Sequence, residues 1–169
     1  NPVMKVIATA KQATKDNLEF VTSRLSVINS NIRVSIRNDD PLGDWFNVKA
    51  IELIRKIEKC ILGECLYTST TEKALSLTPA QCLMYTALFN CVRTYLTNFI
   101  PSNPTWIKKP KSHAEKVDIS WAKFKRQYIS YVKEMIDGIS AVEHEWSQTI
   151  SNITIGSSTS LPVKSSSID

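Results

Sequence analysis

From Trp121 onward an apolar residue returns at every third or fourth position, through Phe124, Tyr128, Val132, Met135, Ile139, Val142, Trp146, Ile150 and Ile153. At 3.6 residues per turn this keeps one face apolar for about nine turns, which a strand of period two cannot do. A rod of that length must bury its stripe against partners, and the rest of the chain offers them in the same idiom. Val3, Ile7, Ala10, Thr14, Leu18, Val21, Leu25, Ile28 and Ile32 also recur three or four apart and predict a first long helix. The acidic turn around Asp39, Asp40, Pro41 and Gly43 should stop it.

Residues 45–66 read as a second helix capped by Asp44, with Val48, Ile51, Ile54, Ile57 and Ile61 inward and Lys49, Arg55, Lys56 and Lys59 outside or flanking. The sharpest local signal is Leu77-Thr78-Pro79-Ala80-Gln81-Cys82. Thr78 can accept from a backbone N–H, Pro79 suits the first helical position, and Gln81 can reach back to complete a capping box. Leu77 and Cys82 are placed to staple the start. The helix begun there carries an apolar band broad enough for more than one neighbour and must end before Pro101.

With only four glycines there is little turn currency for an all-β fold. The expected architecture is therefore all-α: an antiparallel four-helix bundle with two long helices and a long basic loop before the last one. One domain over residues 1–155 and a flexible Ser-rich tail over residues 156–169 complete it.

Several chemistries find no footing. No glycine-rich phosphate loop of the dinucleotide or P-loop type is present, which removes the usual nucleotide enzymes. Of the two histidines, His144 lacks the second histidine four residues on that a zinc-protease helix uses, and His113 falls in a loop. Cys60 and Cys65 would point about 140° apart on one helix, and Cys82 and Cys91 about 180° apart, so neither pair closes locally or converges on zinc. Free buried thiols in a reduced, cytosolic-type environment are expected. Asp39, Asp40 and Asp44 lack the alternating ligands of a calcium loop and read as turn and cap residues.

No metal, cofactor or catalytic residue is therefore assigned. The longest apolar stretch, residues 82–89, is far short of the roughly 18 to 20 residues that a membrane span requires. The first residues lack the apolar core and cleavage site of a signal peptide. Asn152-Ile153-Thr154 matches a glycosylation acceptor, which matters only in an exported protein.

Charge is where the sequence departs from an ordinary bundle. Residues 101–133 hold eight cations, Lys108, Lys109, Lys111, Lys116, Lys123, Lys125, Arg126 and Lys133, against Glu115 and Asp118. The window is thus +6 in a chain of net +5, so the basic character comes from one region. Within it, Lys123, Arg126 and Lys133 should form a ridge opposite the Trp121, Tyr128 and Met135 face. Cations near a helix N-terminus oppose its dipole, and a docked phosphate would relieve the conflict; Trp106 could stack on a base.

These eight residues are the expected nucleic-acid-binding set, with contacts to the backbone because no base-reading motif is present. The expected function is a non-enzymatic structural or assembly protein that engages a polyanion and associates with itself, as a coat protein or nucleoprotein does. The alternatives are a helical adaptor for a protein partner and a secreted four-helix signalling protein with two inter-helix disulfides.

Overall fold

Local hydrogen-bonding side chains divide what the periodicity joins. The computed structural model describes residues 2–63, 76–102 and 107–142. Within them the expected first helix is two: α1, Pro2–Ala10, and α2, Asp16–Ser26. Asn17 Oδ1 accepts from Thr14 N at 2.9 Å, giving the backbone an alternative to continuing the helix through residues 11–15. The same chemistry ends α2 early. Ser26 Oγ donates to Ser23 O, Asn29 Nδ2 to Val27 O, and Asn31 N to Asn29 Oδ1, so that the chain leaves the helix eleven residues before Arg37.

Between α2 and Pro41 the chain is non-helical, and in this segment Ile32, Val34 and Ile36 are half-buried while Arg33, Ser35 and Arg37 are exposed. The apolar period has changed from three and four to two. Despite the breaks, Val6, Ala10, Ala13, Val21 and Ile28 all reach the core.

α3, Val48–Leu62, starts three residues later than expected, because Asn47 and not Asp44 is the cap: Asn47 Oδ1 accepts from Ala50 N at 2.8 Å. It ends at Gly63, whose φ of 81° is the left-handed conformation that glycine tolerates, with its N–H donating to Lys59 O at 2.8 Å. Ile51, Ile54, Ile57 and Ile61 are buried as the spacing requires, whereas Val48 is 64% exposed.

α4, Pro79–Tyr95, begins with the expected box: Gln81 N donates to Thr78 Oγ1 at 3.2 Å and Thr78 N to Gln81 Oε1 at 3.1 Å. Leu77 and Cys82 are both buried beside it. This helix is the hub, contacting α1, α2, α3 and the last helix, α5, Trp121–Val142. That is why its apolar band is broad and why Cys82, Leu83, Met84, Ala87, Leu88 and Cys91 are all buried. α3 and α4 run antiparallel, since Gln81 Nε2 reaches Ile61 O at 3.3 Å and Tyr85 Oη reaches Glu58 Oε1 at 3.1 Å.

α5 starts at Trp121, just after Asp118, whose carboxylate accepts from Asn47 Nδ2 and from Ile119 N, both at 2.9 Å. Those bonds, the Asn47 contact foremost, hold the Asp118 carboxyl below the usual range. Phe124, Tyr128 and Val132 are fully buried on its inner face; Trp121, Met135 and Ile139 are half-buried. The expected continuation through Trp146, Ile150 and Ile153, the acceptor tripeptide at Asn152 and the tail at residues 156–169 lie outside the described residues.

The fold is all-α, with five helices among the described residues. No helix among them is long and apolar enough to cross a membrane.

One buried ionic cluster ties the turn at residues 37–44 to this frame. Arg55, expected outside or flanking, is buried and clamps Asp40 in a two-bond fork at 2.8 Å each, while its Nη1 donates to Glu58 Oε2 at 2.7 Å. Burial alone would lower the Arg55 pKa, but Asp40 and Glu58 outweigh it and hold the guanidinium more firmly charged than in water. Asp40 also caps the short 3-10 turn Pro41–Asp44 through Leu42 N at 3.0 Å. Lys56 is likewise buried.

Candidate polyanion-binding surface

The basic window lies on two supports. The first is the connection before α5, which is fastened and not a free loop. Val117 pairs with Phe46 in a parallel bridge, with Val117 N donating to Trp45 O at 2.8 Å and Asn47 N to Val117 O at 3.1 Å. Trp45 Nε1 donates to Lys108 O at 2.9 Å, and Lys108 N to Phe99 O at 2.8 Å. Phe46, buried to 1% exposure, anchors the crossing. Backbone order at these points presents the Lys108 and Lys111 side chains to solvent.

The second support is α5. At about 100° per residue, Lys123, Arg126 and Lys133 fall within a stripe of about 80° and span about 15 Å. All three are exposed and lie opposite buried Phe124, Tyr128 and Val132. Asp137 falls in the same stripe and Glu134 at its edge, so its positive potential is concentrated toward the helix start.

Three of the eight expected cations are engaged within the protein. Lys116 Nζ donates to Gly43 O, and Lys125 Nζ to Ile28 O, both from half-buried positions. Lys125 projects from α5 beside its core face, so its stem lies on apolar surface and its ammonium meets a carbonyl from a distant segment. Lys109 pairs with Asp44 at 2.8 Å on the surface, an arrangement a stronger anion can compete with. Lys108, Lys111, Lys123, Arg126 and Lys133 remain exposed. Trp106 and His144 lie outside the described residues, and His113 is exposed in the 3-10 turn His113–Glu115.

Sequence reasoning passed over a second set of cations outside this window, Arg33, Lys56 and Lys59, which share one cleft. The i, i+3 spacing of Lys56 and Lys59 on α3 was the available signal. Among the described residues no group of three or more His, Cys, Asp or Glu side chains is arranged to hold a metal ion. The aspartates of the acidic turn are occupied locally: Asp39 with Arg37, which holds its carboxyl below the ordinary value, Asp40 with Arg55, and Asp44 with Lys109.

Cys60, Cys82 and Cys91 are free and buried. The signalling alternative would instead pair all four cysteines in two inter-helix disulfides; Cys65 lies outside the described residues. Burial pushes Cys82 from 9.0 to about 11 and Cys91 to about 12; it also raises Cys60, against the opposing pull of Arg24 and Lys125. At pH 8 these thiols should resist an aromatic disulfide reagent until denaturant is added, with mass spectrometry of labelled peptides as the measurement.

Their folded pKa values exceed the unfolded ones, so their contribution to stability is complete below pH 9.0. It is withdrawn as the pH climbs toward 11 and 12. The thermal midpoint should fall across that window.

Comparisons with protein-family models, curated proteins and solved structures found no match.

Proposed function

We propose that this chain is a non-enzymatic helical module that binds a nucleic-acid backbone and works as a structural or assembly protein, in the manner of a coat protein or nucleoprotein. The observation that carries the reading is the exposure of five cations, Lys108, Lys111, Lys123, Arg126 and Lys133, on the fastened connection and on α5. A polyphosphate chain needs no base-reading element to use such a surface; flexible ammonium groups and one guanidinium suffice for backbone contacts. The proposal includes a four-legged antiparallel bundle in which α1 and α2 together make one leg. The opposed directions of α3 and α4 support that arrangement.

Affinity for a short duplex should fall with salt, with a log–log slope no steeper than about −4.5 if all five cations meet phosphates. Replacing Lys123, Arg126 and Lys133 together by alanine should flatten the slope by about 2 to 3 and leave helicity intact. Lys125→Ala should instead reduce stability, because its ammonium serves Ile28 O. Fluorescence anisotropy across a salt series, with circular dichroism alongside, reads both. An unchanged slope in the triple variant sinks the ridge.

The adaptor alternative draws on exposed Val3 and Met4 of α1, at 48% and 59%. A salt-insensitive monomer with no RNA affinity would favour it.

A further inference from the structure

Away from α5, a cleft of about 610 Å³ opens between α3 and the non-helical segment after α2. Three cations line it, Arg33, Lys56 and Lys59, against one carboxylate, Glu52. Glu52 Oε1 is already paired with Lys56 Nζ at 2.8 Å, one turn along the helix. The two lysines also hold the opposite wall: Lys56 Nζ donates to Ser30 O at 2.8 Å and Lys59 Nζ to Arg33 O at 2.9 Å. Their ammonium groups are thus fixed at the cleft before any ligand arrives, which lowers the entropic cost of using them.

An ammonium has three donors, so Lys59 keeps two for a ligand, and the exposed Arg33 guanidinium presents a planar fork suited to phosphate. Setting aside the Lys56–Glu52 pair leaves two positive charges. A phosphomonoester carries about −1.5 to −2 at neutral pH, which matches them. The volume is in the range of small-molecule sites, but the lining is polar and, among the described residues, carries no aromatic ring on which a nucleobase would stack. The Ser30 hydroxyl and the outer oxygen of Glu52 are suited to sugar-type hydroxyls.

We infer that this cleft binds a small phosphorylated polyol, with the phosphate between Arg33 and Lys59 and its hydroxyls against Ser30 and Glu52. This site is separate from the α5 ridge and does not depend on the nucleic-acid reading.

The test titrates the ¹⁵N-labelled full chain, at constant ionic strength, with inorganic phosphate, a hexose 6-phosphate and the unphosphorylated hexose. Saturable amide shifts confined to residues 30–35 and 52–59 are expected from both phosphates, tighter for the hexose phosphate, and none from the hexose. Arg33→Ala should weaken hexose phosphate binding by about tenfold or more, the loss expected for a charged hydrogen bond, while leaving the thermal midpoint unchanged. Lys59→Ala removes a wall contact as well, so its midpoint is read beside its affinity. The Lys123→Ala/Arg126→Ala variant should bind the hexose phosphate as the parent does.

Absence of a saturable shift, or equal affinity in Arg33→Ala, overturns the inference. So does a short RNA that shifts these amides when the hexose phosphate does not, because the cleft would then belong to the polyanion surface.

Discussion

Replacing Arg55 by methionine is expected to lower the unfolding free energy by about 3–5 kcal/mol, because it strands two carboxylates where water does not reach them. The Asp40 and Glu58 side chains are each 1% exposed, and Arg55 makes three hydrogen bonds to them. Tyr85 Oη supplies one more bond to Glu58, but a neutral hydroxyl cannot replace a guanidinium. The cost lies in the partners left behind. Arg55→Met combined with Asp40→Leu and Glu58→Leu should therefore be less destabilised than the single variant, since apolar groups of similar size need no countercharge.

The exposed pair Arg37–Asp39 is the internal control: Arg37→Ala should cost no more than about 1 kcal/mol, for both partners are solvated. Urea titrations followed by circular dichroism measure all three. A loss below about 1 kcal/mol in Arg55→Met would mean that the carboxylates escape to water or take up protons at little cost.

The same cluster marks where sequence reading stops. Its partners are 15 residues apart along the chain for Arg55 and Asp40, and 27 for Tyr85 and Glu58. No helical periodicity can announce that a charged residue on a flank will be covered by a turn arriving from elsewhere. Lys116 and Lys125 teach the same lesson, since the carbonyls they meet are 73 and 97 residues away.

Features set by neighbours in sequence were legible. The Thr78–Gln81 box and the isoleucines of α3 depend on spacings of three and four residues and stand where those spacings require. Between these cases lies the α1–α2 break. Its cause is local, Asn17 offering its side-chain oxygen to the Thr14 backbone N–H, yet the apolar spacing ran straight across it. There a hydrogen-bonding preference worth about 1 kcal/mol decided against a continuous seam, because separate helices could bury the same residues without one. Of the candidate site, the sequence located the charge. It did not distinguish an ammonium that faces water from one that closes a carbonyl.

Trp121 and Phe124 share a helical face, and truncating the tryptophan would carry a large cost only if it were fully buried. The structure reverses the emphasis. Phe124 is fully buried and meets the Tyr95 ring edge-on, with centroids 5.8 Å apart at 65°. Trp121, the first residue of α5, is only half-buried because no earlier turn of its own helix covers it.

Phe124→Ala should therefore cost about 3–5 kcal/mol, from lost transfer energy and an unfilled cavity beside the hub helix. Trp121→Ala should cost clearly less, despite the larger side chain, since much of its surface is already in water. A double-mutant cycle between Phe124→Leu and Tyr95→Leu should return about 0.5–1.5 kcal/mol for the ring contact itself. If urea titrations instead rank Trp121→Ala as the more damaging change, the first turn of α5, and not the Phe124–Tyr95 contact, is where this helix is held to the bundle, since both side chains lie on the same inner face.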